Sequence, residues 1–380
     1  MDSSLYIHIP FCERKCIYCD FYSIEGVSAF DGFLKALHRE IEMYDRYAEG
    51  VDFRTIFFGG GTPSLLSPEE VAAILSRVRS TFSVSADAEI TLETNPGTVD
   101  RDKLRGFRNA GVNRLSIGIQ SFHEDELAFL GRIHDASQAE QCVHMARAAG
   151  FENVSLDLIY SLPGQSLDRW ASTLKRAIAL NPDHLSAYGL IVEDNTPLAR
   201  MVRTKQVSPN PLDAEADLFE FTMATMQEHR YEHYEVSNYA RDGRRSRHNL
   251  NYWHHGNYLG FGPSAHSFWM SHGLSEGKRW WNAASVSTYI GKLDRGEMPV
   301  ASQEHLSSET MQTERLFLGL RSDGLDLRKF RDEFGGMLDR HRPLIDELVK
   351  AEIATILGDS LHLTAKGYLV CDEVCARLML

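Results

Sequence analysis

The sequence predicts an α/β protein: a partial (β/α)6 barrel of the TIM type, then a mixed α+β extension, then a C-terminal winged-helix-like domain. Three observations carry this reading. β-like and helix-like runs alternate six times in the first half of the chain, the pattern of parallel strands joined by helical crossovers. The chemically unusual residues fall where those strands end, and catalytic loops collect at the strands' C-terminal face in barrels. After Asn195 the alternation stops, and beyond about Val300 the pattern turns helical again. A doubly wound sheet would also fit the alternation, and the strand-end placement favours the barrel. The expected domains are 1–195, 196–300 and 301–380.

Each element has its own signal. Leu5–Ile9 is a short β-like run that ends at Pro10, and Phe30–Tyr47 has helical spacing. Thr55–Phe58 is an apolar strand followed by a turn at Gly59-Gly60-Gly61-Thr62-Pro63. Ser67 with Glu70 forms a capping box ahead of Val71, Ile74, Leu75 and Val78. Ala88–Glu93 is a strand broken by Asn95-Pro96-Gly97, and Asp100 caps Lys103–Asn109. Asn113–Ile119 is a strand with Gln120 at its end, and helical segments follow to Ala149. Val154–Ile159, the helix Leu167–Leu180 and the strand His184–Ile191 complete six units. Six units instead of eight leave a barrel open at its side, which suits a large ligand. Further on, Asp213–Glu228 reads as a helix and Tyr231–Tyr239 as a strand, and an aromatic, Gly-rich region runs to about Asn282. Glu309–Gly319 and Leu338–Ala351 are helical, Ile353–Leu357 and Leu361–Leu363 are β-like, and a last helix starts at Thr364.

Composition narrows the function. The 380 residues carry 40 Lys plus Arg against 53 Asp plus Glu, a formal charge of −13. That acidity argues against broad nucleic-acid or anionic-membrane binding. The winged-helix-like segment is itself acidic, with Asp323, Asp326, Asp332, Glu333, Asp339, Asp346, Glu347 and Glu352, so it reads as packing against the main domain. No apolar run approaches the ~18 residues of a spanning helix, and no basic n-region opens the chain. A cytoplasmic place with reduced thiols is expected.

Six cysteines in this length do not make a disulfide scaffold. Cys12, Cys16 and Cys19 form C-x3-C-x2-C, while Cys142, Cys371 and Cys375 are expected to pack as small apolar side chains. Three close thiols in a reducing compartment point to a metal or a cluster. Zinc would need a fourth ligand, for which His8 is the candidate. An iron–sulfur cube held by three thiolates leaves one iron open to a ligand that is not protein.

The C-x3-C-x2-C spacing resembles the radical S-adenosylmethionine (SAM) superfamily. The longer string Leu5-Tyr6-Ile7-His8-Ile9-Pro10-Phe11-Cys12 is narrower. With the glycine turn, Ser116-Ile117-Gly118-Ile119-Gln120-Ser121 and the run from Asp157 to Pro163, it is similar to the branch holding oxygen-independent coproporphyrinogen III oxidase. The resemblance spans nearly the whole chain. It implies a [4Fe–4S] cluster on Cys12, Cys16 and Cys19, and SAM cleaved to a 5′-deoxyadenosyl radical. It also implies SAM contacts at Tyr6, Tyr18, Gly60, Gly61, Thr62, Glu93, Gln120, Arg132 and Asp157. Arg suits a carboxylate, and Asp or Glu suits an ammonium or ribose hydroxyls. The three glycines lack the Lys-Ser/Thr of a phosphate-binding loop.

Two departures decide the sub-branch. The oxidase pattern has a fourth cysteine two positions after the third, where this chain has Phe21. His248-Asn249-Leu250-Asn251-Tyr252-Trp253 matches an H-N-x-x-Y-W motif. Both features are those of the haem-chaperone homologues in this oxidase-like family. They imply haem contacts at His248, Asn249, Tyr252 and Trp253, with delivery to a haem-dependent membrane enzyme such as a respiratory oxidase. Monomer and dimer both remain open, as does peripheral attachment at the membrane. Locally, Arg241, Arg244, Arg245 and Arg247 form a basic island that suits propionates. Tyr252, Trp253, Tyr258, Phe261, Phe268 and Trp269 offer apolar surface, and His254, His255 and His266 rival His248 as iron ligand. The alternative function is radical decarboxylation of a porphyrinogen, and a zinc-stabilised barrel is the distant third.

Overall fold

The computed structural model describes residues 3–45, 50–270 and 276–379. The six expected strands are β1 (Ser3–Ile9), β2 (Asp52–Gly60), β3 (Ser83–Thr94), β4 (Arg114–Gln120), β5 (Val154–Tyr160) and β6 (His184–Gly189). They pair in sequence order, each parallel to the next. The crossovers carry α1 (Phe30–Met43), α2 (Pro68–Thr81), α3 (Arg101–Ala110), α4 (Glu124–Leu130), α5 (Ala136–Ala148) and α6 (Leu167–Ala179). Helix α1 stops at Met43, and residues 46 and 47 of the expected helix lie outside the described residues. The expected capping box closes α2: Glu70 N–H donates to Ser67 Oγ at 3.1 Å, and Ser67 N–H to the Glu70 carboxylate at 2.6 Å. Asp100 accepts from Lys103 N–H at 2.8 Å at the start of α3.

Strand alternation sorts the side chains. On β4, Leu115, Ile117 and Ile119 are buried in the apolar core shared with the helices, while Arg114, Ser116, Gly118 and Gln120 line the barrel's lumen. The lumen is therefore polar, unlike the packed interior of a closed barrel.

The sheet does not end with six strands. After α7 (Pro197–Arg203) and α8 (Leu212–Glu228), the stretch expected as one strand over 231–239 is two, β7 (Glu232–Glu235) and β8 (Asn238–Ala240). The chain reverses at Val236–Ser237, and β8 adds antiparallel to β6. Past α9 (Arg247–Trp253), β9 (Asn257–Phe261) pairs with β1 in parallel, Ser3 opposite Asn257 and Ile7 opposite Phe261. Strands β10 (His266–Met270), β11 (Gly277–Asn282) and, after α10 (Val286–Asp294), β12 (Val300–Leu306) continue antiparallel. The order is β12-β11-β10-β9-β1-β2-β3-β4-β5-β6-β8-β7.

Glu40 of α1 fastens this extension. Its buried carboxylate accepts from Gly262 N–H at 2.7 Å, Asn282 Nδ2 at 2.6 Å and Tyr289 Oη at 2.6 Å. Burial pushes its pKa up to about 7.

The C-terminal segment holds α11 (Ser308–Leu320), β13 (Leu325–Asp326), α12 (Leu327–Phe334), α13 (Arg342–Lys350), β14 (Ala354–Leu357), β15 (Ser360–Leu363), α14 (Ala365–Leu369) and α15 (Cys371–Met379). Its three strands form their own sheet, β13-β15-β14, over a separate apolar core that includes Leu316, Phe330, Leu348 and Leu361. The helix expected over 338–351 is divided. Pro343 sits in the first turn of α13, where its missing N–H costs nothing. Cys371 and Cys375 are buried in this core, and Cys142 in the main one.

The glycine turn differs from the expectation in an instructive way. Strand β2 continues through Gly59 and Gly60, so only Gly61, Thr62 and Pro63 leave the sheet. Gly61 N–H donates to Ile9 O at 2.8 Å, and Thr62 N–H to Phe11 O at 2.8 Å. A Cβ on Gly61 would stand 2.6 Å from Phe11 O and 2.9 Å from Ile9 O. Gly60 has φ +107°, and a Cβ there would meet the His8 ring at 2.6 Å. These glycines let two backbones touch. Gly61→Ala is expected to destabilise the fold by about 1–3 kcal/mol, the usual cost of overpacking. Urea unfolding should show this as a lower midpoint with an unchanged slope.

Candidate functional site

The chain leaves β1 at Pro10 and runs straight into the cysteine loop. Two backbone contacts hold the loop over the lumen: Ile17 N–H to Leu130 O at 3.4 Å, and Leu198 N–H to Ile17 O at 2.9 Å. Cys12, Cys16 and Cys19 all line a cavity of about 1700 Å³ that fills the lumen and opens at its side. Thr62 Oγ1 donates to Cys12 Sγ at 3.5 Å, and Arg132 Nη1 to Cys16 Sγ at 3.4 Å. Burial, with the other two thiols adding to it, pushes the Cys19 thiol up to about 11. The three thiols are thus crowded together at one end of the lumen. Their chemistry fits an iron–sulfur cluster, in which each thiolate takes a separate iron. Among the described residues, no three His, Cys, Asp or Glu side chains converge on a point that could hold a single metal ion.

His8, the candidate fourth zinc ligand, is not available. Its Nε2 donates to Tyr22 O at 2.8 Å, and its Nδ1 accepts from Tyr6 Oη at 3.2 Å. Burial lowers its pKa to about 4.

The cavity collects every residue the sequence singled out for SAM: Tyr6, Tyr18, Gly60, Gly61, Thr62, Glu93, Gln120, Arg132 and Asp157. Tyr6, Gly60, Glu93, Gln120 and Asp157 arrive on strands, Gly61 and Thr62 just past one, Tyr18 on the cysteine loop and Arg132 on the loop after α4. Gln120 ends β4 with φ +69°, next to a register shift in the β4–β5 pairing. Such an irregularity re-aims a side chain, and here it turns Gln120 into the lumen. Gly118 leaves the space, since a Cβ there would press on Gln120 Nε2 at 2.9 Å and Arg132 Nη2 at 3.2 Å. Arg132 Nη2 donates to Gly118 O at 2.7 Å. Burial and the neighbouring Asp157 push Glu93 up to about 8. Burial raises Asp157 too, against the pull of Ser186, Ser116 and Arg114. Ser116 Oγ donates to Asp157 at 2.9 and 3.1 Å.

Arg114 escaped the sequence reading. It is a buried arginine at the start of β4, its Nε has no hydrogen-bond partner among the described residues, and it lines the same cavity as Glu93 and Asp157 and pulls the pKa of both down against burial. The signal was present in the polar, period-two run Arg114, Ser116, Gly118, Gln120.

The H-N-x-x-Y-W motif forms α9, which closes the lumen at the end opposite the cysteines. Arg247 and His248 N–H groups donate to Glu89 at 3.2 and 3.1 Å, and Ser246 caps the helix. His248 is 1% exposed. Its Nδ1 bonds Thr55 Oγ1 at 2.6 Å, its Nε2 bonds Tyr252 Oη at 2.9 Å, and its ring stacks on Phe57 at 4.9 Å. Burial, then Arg114, lowers its pKa to about 3. Asn249 and Tyr252 also line the cavity, whereas Trp253 does not. The Trp253 indole lies near Glu235 instead, where it helps to offset the rise that burial gives that carboxyl's pKa.

The basic island is corrected outright. None of Arg241, Arg244, Arg245 and Arg247 lines the cavity. Arg245 pairs with Glu232 and with Asp323 at 3.2 Å, Arg247 pairs with Asp87 at 3.5 Å, and Arg241 lies over the Tyr231 ring. Those guanidiniums bind structure together, and the cavity's own cations are Arg14, Lys15, Arg114, Arg132 and Arg279. Of the aromatic residues, Tyr258 and Phe268 face the cavity, and Phe261 and Trp269 do not.

Comparison with known proteins agrees with this geometry. The Radical SAM superfamily profile matches residues 6–177, and the HemN C-terminal domain profile residues 306–370. The chain is 36% identical over 376 residues to the heme chaperone HemW of Bacillus subtilis, covering 98% of this chain and 97% of that one. The chain belongs to the HemW family of radical SAM proteins. HemW of Mycobacterium tuberculosis is 37% identical over 382 residues, covering 99% and 94%. HemW of Escherichia coli is 44% identical over 265 residues, 69% of each chain. The solved structure of the radical SAM enzyme coproporphyrinogen III oxidase (HemN) from Escherichia coli superposes with TM-score 0.84. It is 25% identical and covers 99% of this chain and 90% of its own. The HemN-like partial barrel expected from the alternating pattern is thus the fold of this HemW family member.

The raised Glu93 pKa has a signed consequence for stability. An unfolded glutamate ionises near 4.5 and the folded one near 8. Folding takes up a proton between those values, so this contribution to stability falls as pH rises through that window. Glu93→Gln removes the slope. Relative to the parent, the variant without bound groups should gain stability from about pH 5 to pH 8 in urea unfolding.

Proposed function

We propose that the protein is a haem chaperone. It carries haem in the open cavity, beside a [4Fe–4S] cluster on Cys12, Cys16 and Cys19, and passes it to haem-dependent membrane enzymes such as respiratory oxidases. The observation that carries this reading is the cavity itself. About 1700 Å³ of lumen joins the three thiols to an aromatic wall at the open side, room for a nucleoside and a flat macrocycle together. The names of the relatives support it, each being a heme chaperone HemW.

When bound, the cluster supplies an electron to SAM. The chain's own residues bind and orient. Arg132 suits the methionine carboxylate, and Glu93 and Asp157 suit its ammonium and the ribose hydroxyls. Gln120 and Thr62 donate from the rim, and Tyr6 and Tyr18 offer ring surface. Phe21 stands at the fourth-cysteine position of the oxidase pattern. Its ring is 65% exposed and lines the cavity mouth. No helix among the described residues is long and apolar enough to cross a membrane, so transfer would run through contact with the recipient.

Anaerobic reconstitution and haem titration test the reading. The parent protein should take up iron and sulfide and bind haem saturably. Substituting any one of Cys12, Cys16 or Cys19 by Ala should abolish the cluster's visible absorption. Coproporphyrinogen supplied with SAM and reductant should not be decarboxylated, and turnover with matching 5′-deoxyadenosine would return the oxidase reading.

A further inference from the structure

Four histidines line the cavity: His8, His248, His255 and His266. Three are already committed. His8 and His248 have both ring nitrogens hydrogen-bonded. His255 is 4% exposed, its Nε2 bonds Glu314 at 3.1 Å, and its Nδ1 is buried without a partner among the described residues. His266 differs. It is exposed, and its ring nitrogens hydrogen-bond to nothing among the described residues. Its ring is stacked on Trp281 at 5.6 Å and 20°.

The register explains that stack. His266 of β10 stands opposite Trp281 of β11, and Phe268 opposite both Arg279 of β11 and Tyr258 of β9. Alternation puts Tyr258, His266, Phe268, Arg279 and Trp281 on one face, and all five line the cavity. Neighbouring strands lie about 4.8 Å apart, so these three present a wall roughly 10 Å wide. Glu304 and Glu314 brace Arg279 at 3.0 and 2.6 Å.

We propose that His266 is the axial ligand to haem iron, with the macrocycle lying at the edge of β10 and β11 beside the His266–Trp281 stack. This rests on the haem reading above. Imidazole ligates as the neutral ring, and partial burial together with Arg279 keeps His266 below the usual histidine pKa. Coordination needs no redox step and is reversible. One exposed imidazole at an open edge holds iron without enclosing it, as a carrier that must release its cargo requires.

Anaerobic titration of the full chain with ferric haem, read by ultraviolet–visible and electron paramagnetic resonance spectra, tests this. The parent should saturate with an imidazole-ligated spectrum. His266→Ala should lose that spectrum and bind haem about tenfold more weakly or worse, and added imidazole should restore the spectrum. His248→Ala should keep it. Iron and sulfide content should be equal in His266→Ala and the parent, which shows an intact fold. An unchanged spectrum and affinity in His266→Ala, or loss only in His248→Ala, overturns His266 as ligand and leaves the haem reading standing. No saturable binding by the parent overturns both.

Discussion

The cysteine loop owes its position to one backbone approach, that of Gly61 to the carbonyls of Ile9 and Phe11. Two parallel strands end side by side there, and the segment after β2 must run beneath the segment after β1. A side chain at Gly61 would fill the space the loop occupies. With the backbones in contact, Thr62 reaches Cys12 and the thiols face down the lumen. Arg132 then meets Cys16 from the far side of the barrel. The site is thus assembled by main-chain geometry before any bound group contributes.

Below that opening the lumen is a polar channel with buried charges of both signs. Burial raises the cost of ionising Glu93 and Asp157, Asp157 raises that of Glu93 further, and Arg114 offsets part of it. Burial, with the same guanidinium adding to it, holds His248 neutral at the channel's floor. A buried acid pair with one shared cation is poised to accept a cationic ligand, because the ligand's charge would replace protons the acids now hold. Helix α9 closes the floor, and Glu89 and Thr55 pin it there.

Much of this was legible because the barrel's rules are local. Six alternating runs gave six parallel strands, and Ser67 with Glu70 gave a capping box at the expected place. Strand-end residues converge because every parallel strand delivers its last residues to the same face. Pairing across long distances was not legible. Nothing in Asn257–Phe261 announces that it joins β1 in parallel, since register depends on which edge is free. Side-chain direction on short helices was equally hidden. The H-N-x-x-Y-W spacing puts His248, Asn249 and Tyr252 toward the lumen, yet Trp253 turns to Glu235. The arginines before it looked like one cluster because they are close in sequence, and Arg241, Arg245 and Arg247 each found a different acidic or aromatic partner. Glu40 carried no motif, and Arg114 only the period-two pattern of its strand. Their roles appear only once the sheet brings distant donors and acids around them.

The parallel pairing of β1 with β9 also sets an order of events during synthesis. Ser3 waits for Asn257, roughly 250 residues later in the chain, which at ribosomal rates is about 10–50 s. For that interval one edge of the first strand has no partner, and unpaired edges invite pairing with other chains. Glu40 waits as long for Gly262, Asn282 and Tyr289. The cysteines emerge early and sit on this unfinished edge. The nascent chain therefore carries its three clustered thiols on its last-completed wall.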